Sequence, residues 1–118
     1  MMVFFFITGR IKRIIMTKGK DGQVTKMFPE RIEKVIYSDP SVELCCVVGI
    51  LDEKRINLPK AIVVVKNGYT VDENTRKSIL KVCRTLLPEY MIPVEIEFRD
   101  NLPRTERGKV DYRMLEQE

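Results

Sequence analysis

Two apolar runs rich in β-branched residues, Val42–Ile50 and Lys60–Lys66, constrain the fold of this chain most strongly. Nearly continuous apolar character of this kind is typical of central strands that are covered on at least one face. The stretch between them, Leu51 to Pro59, is charged and serves as a connection. The two runs therefore predict neighbouring strands at the centre of a sheet.

The N-terminal part contains two further β-prone runs, Val3–Thr8 and Ile11–Thr17, which are separated by Gly9 and Arg10. They predict an N-terminal β-hairpin or two successive strands. The polar segment that follows, from Lys18 to Lys26, contains two glycines and predicts a loop with a short strand around Val24.

Two helices and a last strand follow from periodicity and capping residues. Pro29 suits the first turn of a helix that Asp39-Pro40 ends, and Asp72 is placed to cap a second helix that stops before Pro88. Three groups of residues carry these patterns: Phe28, Ile32, Val35 and Ile36 in the first helix; Ile79, Val82, Cys83 and Leu86 in the second; Val94, Ile96 and Phe98 in an alternating strand.

A short helix from about Asp111 closes the chain. The predicted fold is α+β in the order β-β-α-β-β-α-β-α. It has an N-terminal hairpin and a small sheet of mainly three antiparallel central strands, with helices packed on one side.

Composition describes one domain and excludes several kinds of chemistry. The chain has 118 residues, 44% hydrophobic and 32% charged, as in a soluble globular domain. It contains no histidine, which excludes Ser-His-Asp and Cys-His catalysis and His-containing zinc sites. The net charge of +4 is unremarkable, and the apolar start at residues 1–7 is too short for a membrane span.

The three cysteines predict no disulfide framework. Cys45 and Cys46 are adjacent in a predicted strand, so their side chains point to opposite faces of the sheet, and Cys83 lies in a helical pattern. We interpret all three as reduced packing residues, in keeping with a cytoplasmic protein.

The loop before the terminal helix holds the candidate functional residue, Lys109, directly after Gly108. Glycine permits backbone conformations that other residues resist, and lysine carries a compact charge on a flexible stem that can reach an anion. A solvated surface loop has the same composition, so the residues alone leave both interpretations open.

Several motifs occur in the order found in the C-terminal subdomain of the adenylate-forming superfamily, which includes acyl-CoA synthetases, adenylation domains of nonribosomal peptide synthetases and luciferases. The sequence TGRIKRIIMTKG at 8–19 resembles the family's G-R-x-D/K-x-x-I-K-x-x-G segment, and FPERIE at 28–33 resembles its P-x-E-I-E helix start. LPRTERGKV at 102–110 resembles its L-P-R-T-x-x-G-K-V/I ending, with VVGILDE at 47–53 and PKAIVVV at 59–65 between them.

The resemblance implies a role for each matching residue. Lys109 is expected to be the catalytic lysine that contacts the substrate carboxylate and the α-phosphate, on a supporting loop that includes Arg104, Thr105 and Gly108. Lys12 matches the hinge residue about which the domain rotates, and Arg10 matches an arginine near the nucleotide.

Gly19 matches a glycine of the loop that faces the thiol during thioester formation. The segment from Lys20 to Lys26 is longer than in the family, so Gly22 is the alternative equivalent. Arg13 and Met16 also depart from the first motif.

The family's ATP and acyl pockets lie on a large N-terminal domain, for which no stretch of this sequence qualifies. We therefore expect residues 1–118 to be one mobile C-terminal domain, inactive alone, cut from a longer ligase at the interdomain boundary; a naturally split ligase is the alternative. The resemblance implies ATP and Mg²⁺, bound mainly by the N-terminal domain, and CoA or phosphopantetheine as acceptor. The expected partners are that domain, a carboxylic acid, and CoA or a carrier protein, as in peptide synthetases or D-alanine ligases.

A different class of protein has a similar order of elements. From Ile11 to Phe98 the chain also reads β-α-β-β-α-β, the ferredoxin-like order used by RNA-binding and regulatory ligand-binding modules. The two central runs contain no Phe, Tyr or Trp on which bases could stack. We therefore expect no nucleic-acid partner.

Overall fold

A computed structural model describes residues 14–18, 23–51 and 57–116. The strands are β1 (Ile15–Lys18), β2 (Val24–Met27), β3 (Val42–Leu51), β4 (Asn57–Val65) and β5 (Glu95–Phe98). The helices are α1 (Pro29–Ile36), α2 (Glu73–Leu86), a 3₁₀ turn (Glu89–Met91) and α3 (Tyr112–Glu116). The α+β class is confirmed. The described elements follow the order β-β-α-β-β-α-β-α, but the second strand in it is the one around Val24, because the predicted strand Val3–Thr8 lies outside the described residues.

The N-terminal hairpin is formed by β1 and β2. These strands are antiparallel, with Ile15 opposite Met27 and Lys18 opposite Val24. The short strand predicted around Val24 is therefore confirmed, and it is the described partner of β1. The partner predicted for Ile11–Thr17 was Val3–Thr8, which lies outside the described residues, so that pairing stays a prediction.

The central sheet contains β3, β4 and β5 in that order. β3 and β4 are antiparallel, with Val47 opposite Ala61, as predicted. β5 is parallel to β4, with Lys60 opposite Glu95, so the prediction of three antiparallel strands was wrong for this pair. The chain leaves β4, crosses one face of the sheet as α2 and returns to the same end, which is how parallel neighbours are joined.

Both faces of this sheet are covered, each by its own hydrophobic cluster. One cluster joins α1 and α2 to the sheet through Ile32, Ile36, Cys45, Val47, Ala61, Val63, Ile79 and Cys83 among others. The second contains Cys46, Val48, Ile62, Val64, Leu102 and Leu115. The prediction of helices on one side was incomplete, because Leu115 of α3 packs on the other face.

The cysteine prediction is confirmed. Cys45 and Cys46 belong to different clusters on opposite faces of the sheet, and all three cysteines are free and buried. Burial raises the pKa of Cys83 to about 11. The Cys83 thiol is therefore protonated at neutral pH and unsuited to nucleophilic or metal-binding chemistry.

The two long helices begin and end as their sequences predict. α1 begins at Pro29, where the missing N–H of proline leaves no additional unpaired group. α2 is capped by Asp72, whose carboxylate accepts a hydrogen bond of 3.0 Å from the backbone N–H of Thr75. Its buried residues, Ile79 and Cys83, face the sheet.

Candidate functional site

The candidate site is a hairpin loop at residues 102–111, held against the second face of the sheet. Leu102 and Leu115 are both 3% exposed and pack in the same cluster. Val110 and Tyr112 are partly buried against that cluster. Both ends of the loop are therefore fixed to the sheet, while residues 104–109 are exposed to solvent.

A ladder of backbone hydrogen bonds joins the two arms of the loop. Asp111 N–H donates to the Pro103 carbonyl over 2.8 Å, and Arg104 and Val110 form an antiparallel bridge. Thr105 N–H donates to the Lys109 carbonyl over 2.7 Å. The loop is thus a small hairpin of defined geometry.

The tip of the hairpin is a tight turn that ends at a glycine. Gly108 N–H donates to the Thr105 carbonyl over 2.9 Å, and Gly108 has φ = +81°. A turn followed by a left-handed residue is a common hairpin connection, and glycine adopts that backbone without steric cost. A Cβ added at Gly108 would meet no atom within 4 Å, so the backbone conformation, and not lack of space, is what requires glycine here.

The loop carries several cationic side chains. Arg104, Arg107 and Lys109 are exposed, and Glu106 is the acidic residue among them. The Arg104 guanidinium donates from Nη1 to the Gly108 carbonyl over 3.0 Å. Within the described residues the Lys109 ammonium has no ion pair, so it is available to bind an anion such as a carboxylate or phosphate.

The structure brings together four of the eight site residues predicted from the sequence. Arg104, Thr105, Gly108 and Lys109 share this hairpin. The other four, Arg10, Lys12, Gly19 and Gly22, lie outside the described residues. Their roles stay predictions.

Sequence reasoning missed the residue that joins the hairpin to α3. The Asp111 carboxylate accepts a 3.2 Å hydrogen bond from Met114 N–H, while its own N–H holds the Pro103 carbonyl. An aspartate directly before a helix is a recognised capping signal. That signal was available in the sequence, where it predicted the start of a helix and no contribution to the loop.

Sequence reasoning also missed a group of charged residues beside the second hydrophobic cluster, on which the hairpin packs. Lys60 Nζ lies 2.8 Å from Glu97 and 3.6 Å from Glu95, and Arg99 also pairs with Glu97. The hydrogen bond between Lys60 and Glu97 raises the pKa of Lys60 and lowers that of Glu97. Lys60, Glu97 and Arg99 line a cleft of about 280 Å³ together with Leu115 and Glu116.

The described residues offer no group of three or more His, Cys, Asp or Glu side chains that could hold a metal ion. The same part of the chain contains no helix that is long and apolar enough to cross a membrane.

Comparison with known proteins gives consistent results. The family described as AMP-binding enzyme C-terminal domain matches residues 31–109. The chain is 33% identical over 107 residues to a feruloyl-CoA synthase of Amycolatopsis, covering 91% of this chain and 20% of that enzyme. It is 34% identical over 107 residues to 4-hydroxybutyrate–CoA ligase 1 of Metallosphaera sedula, covering 91% of this chain and 18% of the ligase.

Solved structures agree with the sequence relatives. The anthranilate CoA ligase AuaEII, in complex with anthranoyl-AMP, aligns with a TM-score of 0.76 and 28% identity over 86% of this chain and 19% of the ligase. A fatty acyl CoA synthetase of Mycobacterium tuberculosis aligns with a TM-score of 0.72 and 31% identity over 88% of this chain and 19% of the synthetase. The chain thus spans about a fifth of the length of the proteins it matches.

Proposed function

The chain belongs to the family of AMP-binding enzyme C-terminal domains, and on that premise we propose that it is the mobile C-terminal domain of an AMP-forming acid–thiol ligase. In this proposal Lys109 serves the adenylation step. The partner is a large N-terminal domain of the same enzyme, which binds ATP and the acid. The domain alone is then inactive.

The proposed reaction has two steps. A carboxylate oxygen of the acid attacks the α-phosphorus of ATP, the bond to the β-phosphate oxygen breaks, and pyrophosphate leaves. A thiol then loses its proton and attacks the acyl carbonyl of the adenylate, so that a thioester forms and AMP leaves. The first step brings two anions together, which is where a fixed cation has most effect.

The exposed ammonium on a fixed hairpin carries the proposal. Lys109 follows a left-handed glycine, its own carbonyl is held by Thr105, and the arms of the hairpin are anchored in the second cluster. A cation whose backbone is already ordered needs little reorganisation when the transition state forms. The matched family region extends to this residue.

The second step is proposed for a different orientation of the domain. Lys12 is the proposed hinge, Arg10 lies near the nucleotide, and Gly19 or Gly22 gives the thiol arm a close approach to backbone. These assignments rest on the resemblance of residues 8–19 to the family motif. Hinge residues absorb dihedral changes at the ends of elements, where Lys12 is predicted to lie.

ATP with Mg²⁺ and a thiol are the proposed co-substrates. We assign Mg²⁺, together with ATP, mainly to the N-terminal domain, as the family resemblance implies. CoA is favoured over a carrier-protein pantetheine because the relatives above are CoA ligases by name. The feruloyl and 4-hydroxybutyrate enzymes are named for different acids, yet both are similarly identical to this chain. The sequence of this domain therefore does not identify the acid.

A ferredoxin-like binding module is the weaker candidate. The described strands form two separate sheets, and β5 is parallel to β4, whereas that module builds one sheet with an open binding face. Here the second face is covered by Leu102 and Leu115. Salt-sensitive binding to single-stranded RNA in a gel-shift assay is the result that would favour the module.

Fusion to a relative tests the ligase proposal. The chain replaces the C-terminal domain of the Amycolatopsis feruloyl-CoA synthase, and pyrophosphate release is measured with ferulate and ATP. Lys109→Ala is expected to lower this rate on the order of 10²- to 10³-fold, because one electrostatic contact to the transition state is lost. Conversion of supplied feruloyl-adenylate and CoA to the thioester is expected to change little.

The matched control is Lys81→Ala, which removes an exposed lysine from α2 and is expected to leave both rates unchanged. Pyrophosphate release at the unaltered rate in the Lys109→Ala fusion would contradict the proposed role.

A further inference from the structure

We propose that Arg104 is a positioning residue for Lys109, acting through the carbonyl of Gly108. This inference rests on the proposed function, since it concerns how the adenylation lysine is held. Arg104 need not touch the substrate for this role. Its effect is on the backbone from which the Lys109 side chain extends.

The two peptide carbonyls that flank the Cα of Lys109 are both hydrogen bonded. The carbonyl before it, from Gly108, accepts from the Arg104 guanidinium over 3.0 Å. The carbonyl after it, from Lys109 itself, accepts from Thr105 N–H over 2.7 Å. One side chain and one backbone group thus fix the peptide planes on either side of the lysine.

Of the two carbonyls, that of Gly108 most needs a hydrogen bond from a side chain to hold its orientation. Glycine has the widest choice of backbone conformations, and the loop from 104 to 109 is exposed to solvent. Arg104 lies opposite Val110, with which its backbone forms an antiparallel bridge. Its guanidinium therefore reaches the turn while its backbone stays paired. A charged donor also makes a stronger hydrogen bond than a neutral one.

Arg107 offers a matched comparison on the same loop. It is also exposed, and within the described residues it makes no side-chain hydrogen bond or ion pair. Removing Arg104 or Arg107 changes the charge of the loop equally, but only the first change removes the hydrogen bond to Gly108.

The experiment uses the feruloyl-CoA synthase fusion and separates kcat from KM for pyrophosphate release. Arg104→Ala is expected to lower kcat about 10-fold or more with the KM for ATP changed less than about twofold, because a misplaced catalytic group costs rate up to about 10²-fold. Arg104→Lys, which keeps a cationic donor, is expected to recover part of the loss. Arg107→Ala is expected to stay within about twofold of the unaltered fusion.

A double variant shows whether Arg104 acts through Lys109. In a Lys109→Ala fusion, adding Arg104→Ala is expected to cause no further loss, since coupled residues are not additive. A further loss of about 10-fold would overturn the proposal, and so would an equal loss in Arg107→Ala. Thioester formation from supplied feruloyl-adenylate reports that each variant is folded.

The two proposals fail in different ways. Unchanged pyrophosphate release in Lys109→Ala contradicts the proposed function. If the Lys109→Ala fusion is inactive but the Arg104→Ala fusion keeps a normal kcat, only the positioning role is contradicted.

Discussion

The carboxylate of Glu33 accepts a hydrogen bond of 2.7 Å from the backbone N–H of Val47. Glu33 lies in α1 and Val47 in β3, an edge strand of the described sheet. One helical turn further, the Tyr37 hydroxyl accepts from Cys45 N–H over 3.1 Å. Glu33, and Tyr37 directly after the end of α1, thus occupy N–H groups that an edge strand would otherwise offer to another chain.

Glu33→Ala is expected to lower the free energy of unfolding by about 1–3 kcal/mol, the typical cost of leaving a buried N–H group without an acceptor. Val47 is fully buried, so water cannot replace the carboxylate without local opening. Urea denaturation provides the measurement. Glu43→Ala, at an exposed position of β3, is the control, and an equal loss there would contradict the edge-capping role.

The opposite edge of the sheet is covered from α2. The Arg76 guanidinium donates to the Ile96 carbonyl of β5 and lies 5.0 Å from the centre of the Phe98 ring. Arg76→Met keeps most of the aliphatic volume but removes both interactions and the ion pair with Glu73 on the same helix. We expect a loss of about 1–2 kcal/mol in urea denaturation. Lys77→Met, at an exposed α2 position, is expected to change the stability by less than about 0.5 kcal/mol.

These edge contacts mark the limit of what the sequence predicts. Features that depend on neighbouring residues were predicted correctly. Examples are the opposite directions of the Cys45 and Cys46 side chains and the capping of α2 by Asp72. Glu33 and Val47 are 14 residues apart, and no local rule relates a helical glutamate to a strand N–H. The same holds for β5, because its direction depends on the path of the whole chain across the sheet.

Some features of the candidate site were likewise predicted from the sequence, and others were not. Gly108 and Lys109 were predicted from a short motif, and the left-handed φ of Gly108 gives that motif a physical reason. The arginine hydrogen bond to the Gly108 carbonyl was not predicted, because the sequence does not say where a long exposed side chain turns. Anchoring by Leu102 and Leu115 depends on packing of the second sheet face, which periodicity does not reveal.

Low pH is expected to lower the stability of the fold through protonation of Asp39. Burial alone would raise the pKa of this carboxyl, but hydrogen bonds from Ser41 and Ser78 outweigh it and lower the pKa. A carboxyl with a lowered folded-state pKa contributes stability above its unfolded pKa of about 3.9, and that contribution is lost as the pH falls through the folded pKa. Stability should therefore decline below about pH 4.

Comparison with Asp39→Asn isolates this contribution from those of Glu97 and Asp72, whose pKa values are also lowered by hydrogen bonds. The stability difference between the unaltered chain and the variant, measured by urea denaturation from pH 7 to pH 2, is expected to shrink as the pH falls. A difference that stays constant with pH would show that the carboxylate charge of Asp39 has no part in stability.

Two glycines in the left-handed region provide a matched test of the hairpin. Gly108 has φ = +81° and Gly68, in the exposed turn before α2, has φ = +94°, and an added Cβ meets no atom within 4 Å at either position. Alanine at either site is therefore expected to cost about 1–2 kcal/mol of stability through backbone strain alone. If Gly108 orients Lys109, only Gly108→Ala should also lower pyrophosphate release in the synthase fusion, by about 10-fold or more. Equal rates in Gly108→Ala and Gly68→Ala, at equal stability, would mean that adenylation does not depend on the conformation of this turn.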